Sequence, residues 1–178
     1  PHLLLSDTGS MEGIHYQFHR TDSCYSFRGS FSIDGDYECL IRILYDFEHL
    51  KNIITSADSI VLIRQGEDWY DVRYTFKKFF ITNASIYRKS LKSEEHKVTF
   101  TMISSQQNTN LIPNVSASSG YYRIIQDSTG YVIEYYQEFI MSTRFLRGFY
   151  VRTAKKESIK FMLNLREYLE RMCVVEMR

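Results

Sequence analysis

From Tyr150 to Arg178 the chain contains neither Gly nor Pro. Val151, Ala154, Ser158, Phe161, Leu165, Leu169 and Met172 recur on one helical face. Arg152, Lys156, Lys160, Glu167 and Glu170 fall on the others. The pattern predicts one long amphipathic helix over about 148–173, some 39 Å at about 1.5 Å per residue. A helix with a single apolar stripe needs a surface to bury it against. Most of the chain before it has a different period, and that part supplies the surface.

Gly13–Arg20 alternates Ile14, Tyr16 and Phe18 with His15, Gln17 and His19. Tyr25–Ile33 alternates Tyr25, Phe27, Gly29, Phe31 and Ile33 with Ser26, Arg28, Ser30 and Ser32. Period two marks half-buried strands. Asp34-Gly35-Asp36 then stops the strand and caps a helix. Leu40, Ile43, Leu44 and Phe47, then Leu50, Ile53 and Ile54, predict two short helices over about 36–46 and 47–54. Strands follow at Ser59–Glu67, Trp69–Thr82, Ala84–Lys92 and Lys97–Ser105, with turns at Gly66–Asp68, Thr82-Asn83 and Ser93–His96. After the polar loop Gln106–Asn114, Ser116–Gln126 and Tyr131–Ser142 form a hairpin across Asp127–Gly130. The short connections imply an antiparallel meander.

The chain has 178 residues, 44% apolar and 24% charged, the balance of one folded domain. Residues 1–12 read as a flexible leader, 13–173 as the domain and 174–178 as a tail. A chain of this length buries roughly 70% of its unfolded surface without metals or disulfides. Its formal net charge of +1 argues against a nucleic-acid binder. No apolar run is long enough to span a bilayer as a helix. Fourteen Tyr and 12 Phe against 2 Pro favour long strands, and Tyr suits a cavity wall that is neither dry nor wet.

Cys24, Cys39 and Cys173 are widely spaced and odd in number. That favours three inert thiols over one bridge plus a free cysteine. The chain opens on Pro1, and His2–Leu5 is too short for a signal-peptide core. The compartment is therefore open: cytoplasmic, or exported after a signal peptide has been removed. The sequons at Asn83 and Asn114 settle nothing, since they arise often by chance.

The order β-β-α-α-β-β-β-β-β-β-α predicts an α+β fold. A curved antiparallel sheet wraps the long C-terminal helix and leaves an elongated cavity beneath it. Gly13–Arg20 with Phe27-Arg28-Gly29 and Ile33, then Leu44-Tyr45-Asp46-Phe47-Glu48, resemble the first strand pair and small-helix stretch of the START-like, helix-grip (SRPBCC, Bet v 1-like) superfamily. Gly120–Ile124 and Gly130–Tyr136 are similar to its late hairpin, and the C-terminal helix stands in the expected place. The resemblance implies the helix-grip fold, with binding or transport of a lipid or isoprenoid-like molecule, or cyclase, dehydratase or isomerase chemistry in the same cavity. The family's Asp-Gly-Pro after the last strand is replaced by Met141–Phe145 with Gly148 later, and its middle Arg-Asp pair by Arg88-Lys89.

The candidate wall is Tyr74, Phe76, Phe100, Met102, Tyr122, Ile133, Tyr135 and Phe139, facing Phe161, Leu165 and Leu169. Plain core packing uses the same residue types. Asp71, Arg73, Arg88 and Glu134 are candidate polar cavity groups should their strands face inward. The apolar set of Tyr70, Val72, Tyr74 and Phe76 is the better interior face, which would leave Asp71 and Arg73 solvated. His15 and His19 lie about 13 Å apart along a strand and cannot share a metal ion. No nucleophile elbow, phosphate loop or cofactor motif occurs. The expected partner is a hydrophobic small molecule or lipid, with no cofactor. Arg152, Lys155, Lys156 and Lys160 could touch anionic head groups, or simply form a solvated face. A third reading is a protein-interaction module with a closed cavity.

Overall fold

The computed structural model describes residues 5–21, 24–78, 81–109, 114–141 and 147–174. Alternation at period two becomes one nine-stranded antiparallel sheet. Its strands are β1 (Leu5–Met11), β2 (Ile14–Arg20), β3 (Cys24–Ile33), β4 (Ser59–Gln65), β5 (Trp69–Lys78), β6 (Ile81–Lys92), β7 (Lys97–Gln107), β8 (Val115–Asp127) and β9 (Gly130–Met141). The spatial order is β1-β2-β3-β9-β8-β7-β6-β5-β4. The early strand β3 thus pairs with the last strand β9, from Cys24 opposite Ile140 to Ile33 opposite Tyr131. The helices are α1 (Tyr37–Tyr45), α2 (Leu50–Ile53) and α3 (Arg147–Cys173). The expected α+β helix-grip architecture is the observed one.

Local chemistry explains the boundaries. The Asp36 carboxylate accepts the Cys39 backbone N–H at 2.8 Å and caps α1. Leu40, Ile43 and Leu44 bury its apolar stripe. On α3, Met162, Leu165 and Leu169 are fully buried. They pack into the same core as Phe27, Phe31 and Ile33 of β3. Gly29 lets the helix come that close. A Cβ there would lie 2.9 Å from the Phe27 ring and 3.2 Å from Met162.

Three expectations are corrected. Leu5–Met11 is not a loose leader but an edge strand, in register with β2 from Leu5 opposite Arg20 to Met11 opposite Ile14. Its side chains are polar on both faces, so no period announced it. The overlooked signal was the two-residue turn Glu12-Gly13, where both residues have positive φ (49° and 80°). Thr82 and Asn83 are not a turn but paired strand residues, opposite Lys77 and Phe76 of β5. Asn83 sits inside β6, its side chain donating to Asn114 Oδ1 at 3.1 Å. Finally, the cysteines are not three thiols. Cys39 and Cys173 form a disulfide across 134 residues of sequence, and Cys24 is free. Sequence separation hid a pair that helix packing brings to a Cα distance of 5.6 Å. Part of the polar loop, around Pro113, the exit from the last strand over 142–146 and most of the C-terminal tail lie outside the described residues.

The disulfide ties the last turn of α3 to the first turn of α1. Closing so long a loop constrains the unfolded chain. Cys173→Ser is expected to lower the unfolding free energy by about 2–5 kcal/mol in urea titrations. Reductant should reproduce that loss in the wild type, while Cys24→Ser leaves the midpoint unchanged.

Candidate functional site

Only half of the sheet is filled by α3. Its C-terminal half packs on β3, but Thr153, Ala154, Glu157, Ser158 and Phe161 of its N-terminal half roof a cavity of about 550 Å³. The inward faces of β5, β6, β8 and β9 form the floor, with Phe100 of β7 and Ile54 after α2. Along β6 the inward positions are Asn83, Ser85, Tyr87 and Lys89. Six residues of strand separate the first from the last, so the cavity runs about 20 Å.

Of the anticipated wall, Tyr74, Phe76, Phe100, Tyr122, Tyr135, Phe139 and Phe161 line this space. Met102, Ile133, Leu165 and Leu169 do not. Ile133, Leu165 and Leu169 belong to the solid core instead. The rings are arranged as a connected set. Phe100 lies 5.6 Å from Tyr122 and 5.9 Å from Tyr135, and Phe161 closes on Tyr135 at 5.0 Å. Burial pushes the Tyr74, Tyr122 and Tyr135 phenols above their ordinary range, so all three are neutral donors at neutral pH.

The anticipated polar cavity groups Asp71, Arg73, Arg88 and Glu134 all lie on the opposite face of the sheet. Asp71 nevertheless is not solvated. Its side chain is 1% exposed, held by Arg64 Nε at 2.6 Å and Arg88 Nε at 2.9 Å. The Trp69 ring stacks 4.2 Å from the Arg88 guanidinium and completes the cover. Side-chain alternation placed Asp71 outward correctly. What it could not show is that Arg64 and Arg88 from the two adjacent strands, with Trp69 of its own strand, fold over it. Arg73 is exposed. Glu134 accepts from Tyr121 at 2.9 Å, with Arg28 at 3.8 Å.

The cavity's own polar groups went unnoticed in the sequence. Lys89 is 3% exposed, and its Nζ donates to the Leu44 carbonyl at 2.9 Å. The Tyr122 and Tyr70 rings lie 5.2 and 5.9 Å from that nitrogen. Burial pulls its ammonium down to about 7, opposed only by the charge of Asp46. The available signal was register: Lys89 shares its face with Tyr87 and Ser85. Farther along, Ser85 donates to Asn83 at 3.0 Å, and Gln137 joins Ser118 at 3.1 Å to the Tyr135 hydroxyl at 2.7 Å. Both sequon asparagines, Asn83 and Asn114, are wall residues bonded to one another. Among the described residues, no three His, Cys, Asp or Glu side chains gather into a metal-binding group, and no helix is long and apolar enough to cross a membrane.

Two stability effects follow. Asp71 has its carboxyl held below the usual range, first by the hydrogen bond from Arg88. Its contribution is present above the unfolded pKa near 3.9 and fades as pH falls through the lower folded value. Because both arginines reach solvent, Asp71→Asn is expected to cost only about 1–3 kcal/mol at pH 7 in denaturant titrations, with less further loss in acid than the wild type. Lys89 acts in the opposite direction. Unfolded lysine binds its proton up to about 10.4, the folded site only to about 7. Folding stability from this group therefore rises with pH between those values. Lys89→Met is expected to stabilise the protein at pH 7 by roughly 1–4 kcal/mol and to flatten that slope.

No family model matches the chain, and no curated protein matches its sequence. Solved structures do. A STAR-related lipid transfer protein from Xanthomonas axonopodis aligns with a TM-score of 0.68 at 12% identity, over 93% of this chain and 98% of that one. A Streptomyces aromatase/cyclase aligns with a TM-score of 0.64 at 13% identity, over 83% and 95%. A major latex-like protein from Panax ginseng aligns with a TM-score of 0.59 at 11% identity, over 85% and 99%. At these identities the likeness shows the fold alone, and the chain has the helix-grip fold that these structures share.

Proposed function

We propose that this protein binds and carries a hydrophobic small molecule of lipid or isoprenoid-like character in the cavity beneath the first half of α3. The carrying observation is the cavity itself: about 550 Å³, walled mainly by Tyr74, Phe76, Phe100, Tyr122, Tyr135, Phe139 and Phe161. That volume falls within the range of small-molecule sites, and an apolar wall with a few placed polar groups is their usual composition. Proteins of this fold include lipid binders and cyclases, and the STAR-related match is named for lipid transfer.

The cyclase reading rests on acid–base residues inside the cavity. Asp71, Arg73, Arg88 and Glu134 face the other way; among the described lining residues the ionisable carboxylate and amine are Glu157, exposed on α3, and Lys89, buried and bonded to the Leu44 carbonyl. The interaction-module reading rests on a closed interior, whereas this one is hollow. Of the basic residues on α3, Lys155 is engaged by Asp7. Arg152, Lys156 and Lys160 remain exposed on the helix that roofs the cavity. They would suit a brief encounter with an anionic bilayer during loading.

Gently purified protein examined by native mass spectrometry should carry a bound apolar molecule, lost on denaturation. A fluorescent apolar probe such as N-phenylnaphthylamine should bind the emptied protein. Ala154→Trp, which fills the roof of the cavity, should weaken that binding by at least about tenfold with an unchanged far-UV spectrum. Equal probe affinity in the plugged variant would refute binding in this cavity.

A further inference from the structure

One end of the cavity is charged. Lys89 is the only cationic side chain among the described residues that line it. Its ammonium has three N–H groups, and the Leu44 carbonyl takes one of them. The flanking Tyr70 and Tyr122 rings soften the charge without cancelling it. No ion pair joins Lys89 to a carboxylate among the described residues. Asp46, the one charge that favours its protonated form, is not a lining residue.

A second observation concerns hydroxyls. The Tyr70 hydroxyl donates to the Tyr45 carbonyl at 2.6 Å, and that of Tyr135 to Gln137 at 2.7 Å. The Tyr122 hydroxyl has no hydrogen-bond partner among the described residues, although its ring is buried in the wall beside Lys89. A buried cation without an anion costs free energy, and the Tyr122 hydroxyl, a lining group, is open to donate to a guest. The cation and this donor stand together beside the aromatic wall, whereas the other polar wall groups Asn83, Ser85, Asn114, Ser118 and Gln137 bond to one another.

We propose that the cavity takes an amphipathic carboxylate head inward, its carboxylate on Lys89 Nζ and the Tyr122 hydroxyl and its tail along Phe100 and Phe139. This rests on the carrier reading above and names the ligand class. A carboxylate supplies one negative charge to one ammonium. A phosphate monoester carries about −1.5 to −2 near neutral pH and would leave charge uncompensated in a buried site. An alcohol would leave the ammonium unpaired. Burial without an anion disfavours the Lys89 ammonium, and a carboxylate bound on Nζ would restore its proton affinity.

Calorimetric titration of the delipidated protein with dodecanoate, dodecanol and dodecyl phosphate tests the assignment. The wild type should bind dodecanoate at least about tenfold more tightly than either of the others. Lys89→Met should abolish that preference while keeping dodecanol affinity within about threefold, and Tyr122→Phe should weaken dodecanoate selectively. Lys89→Gln, which keeps a donor for Leu44, guards against misfolding as the cause and should lose the preference too. Equal wild-type affinity for acid and alcohol, a preference for the phosphate, or a preference that survives loss of Lys89 would overturn the head-group assignment and leave the carrier reading standing. Binding of none of the three would overturn both.

Discussion

The contact between the second half of α3 and β3 sets everything else. Met162, Leu165 and Leu169 sink fully into the sheet there, and Gly29 removes the side chain that would hold the helix off. A straight helix cannot follow a strongly twisted sheet over its whole width. Seated firmly at one end, it stands away from the sheet at the other. The gap is then lined by whatever the inward positions of β5, β6, β8 and β9 supply. Here they supply aromatic rings, and beneath α1 a single lysine.

The disulfide belongs to the same arrangement. Cys39 and Cys173 join the packed end of α3 to α1, and the backbone N–H of Asp36 bonds to the Cys173 carbonyl at 3.3 Å. The first half of α3 has anchors of its own: Ile159 is buried in the core, and Lys155 is paired with Asp7. The roofing half of the helix has small or polar residues at Thr153, Ala154 and Ser158, which make little apolar contact across the gap.

Much of this was legible in the chain. Period two in Tyr25–Ile33 and period 3.6 after Tyr150 specified the two partners of the grip, and Asp36 announced α1. The inward face of β5 was readable because Tyr70, Val72, Tyr74 and Phe76 are apolar without exception. What escaped detection depends on neighbours distant in sequence. Ile133, Leu165 and Leu169 have the same apolar character as Tyr135 and Phe161, and only the helix's tilt decides which touch core and which touch cavity. Asp71 looked solvated because Arg64, Arg88 and Trp69 come to it from three strands. Lys89 escapes notice, since a single buried lysine leaves no periodic trace.

The central claim is that the space beneath the first half of α3 is hollow and takes an apolar guest. Crystals grown with a terminally brominated alkanoic acid would locate the guest by the anomalous signal of bromine. The account predicts a single strong peak between α3 and the aromatic wall of β5, β8 and β9, with carboxylate density at Lys89. Bromine found only on the outer surface, with side chains filling the space under the helix, would contradict it.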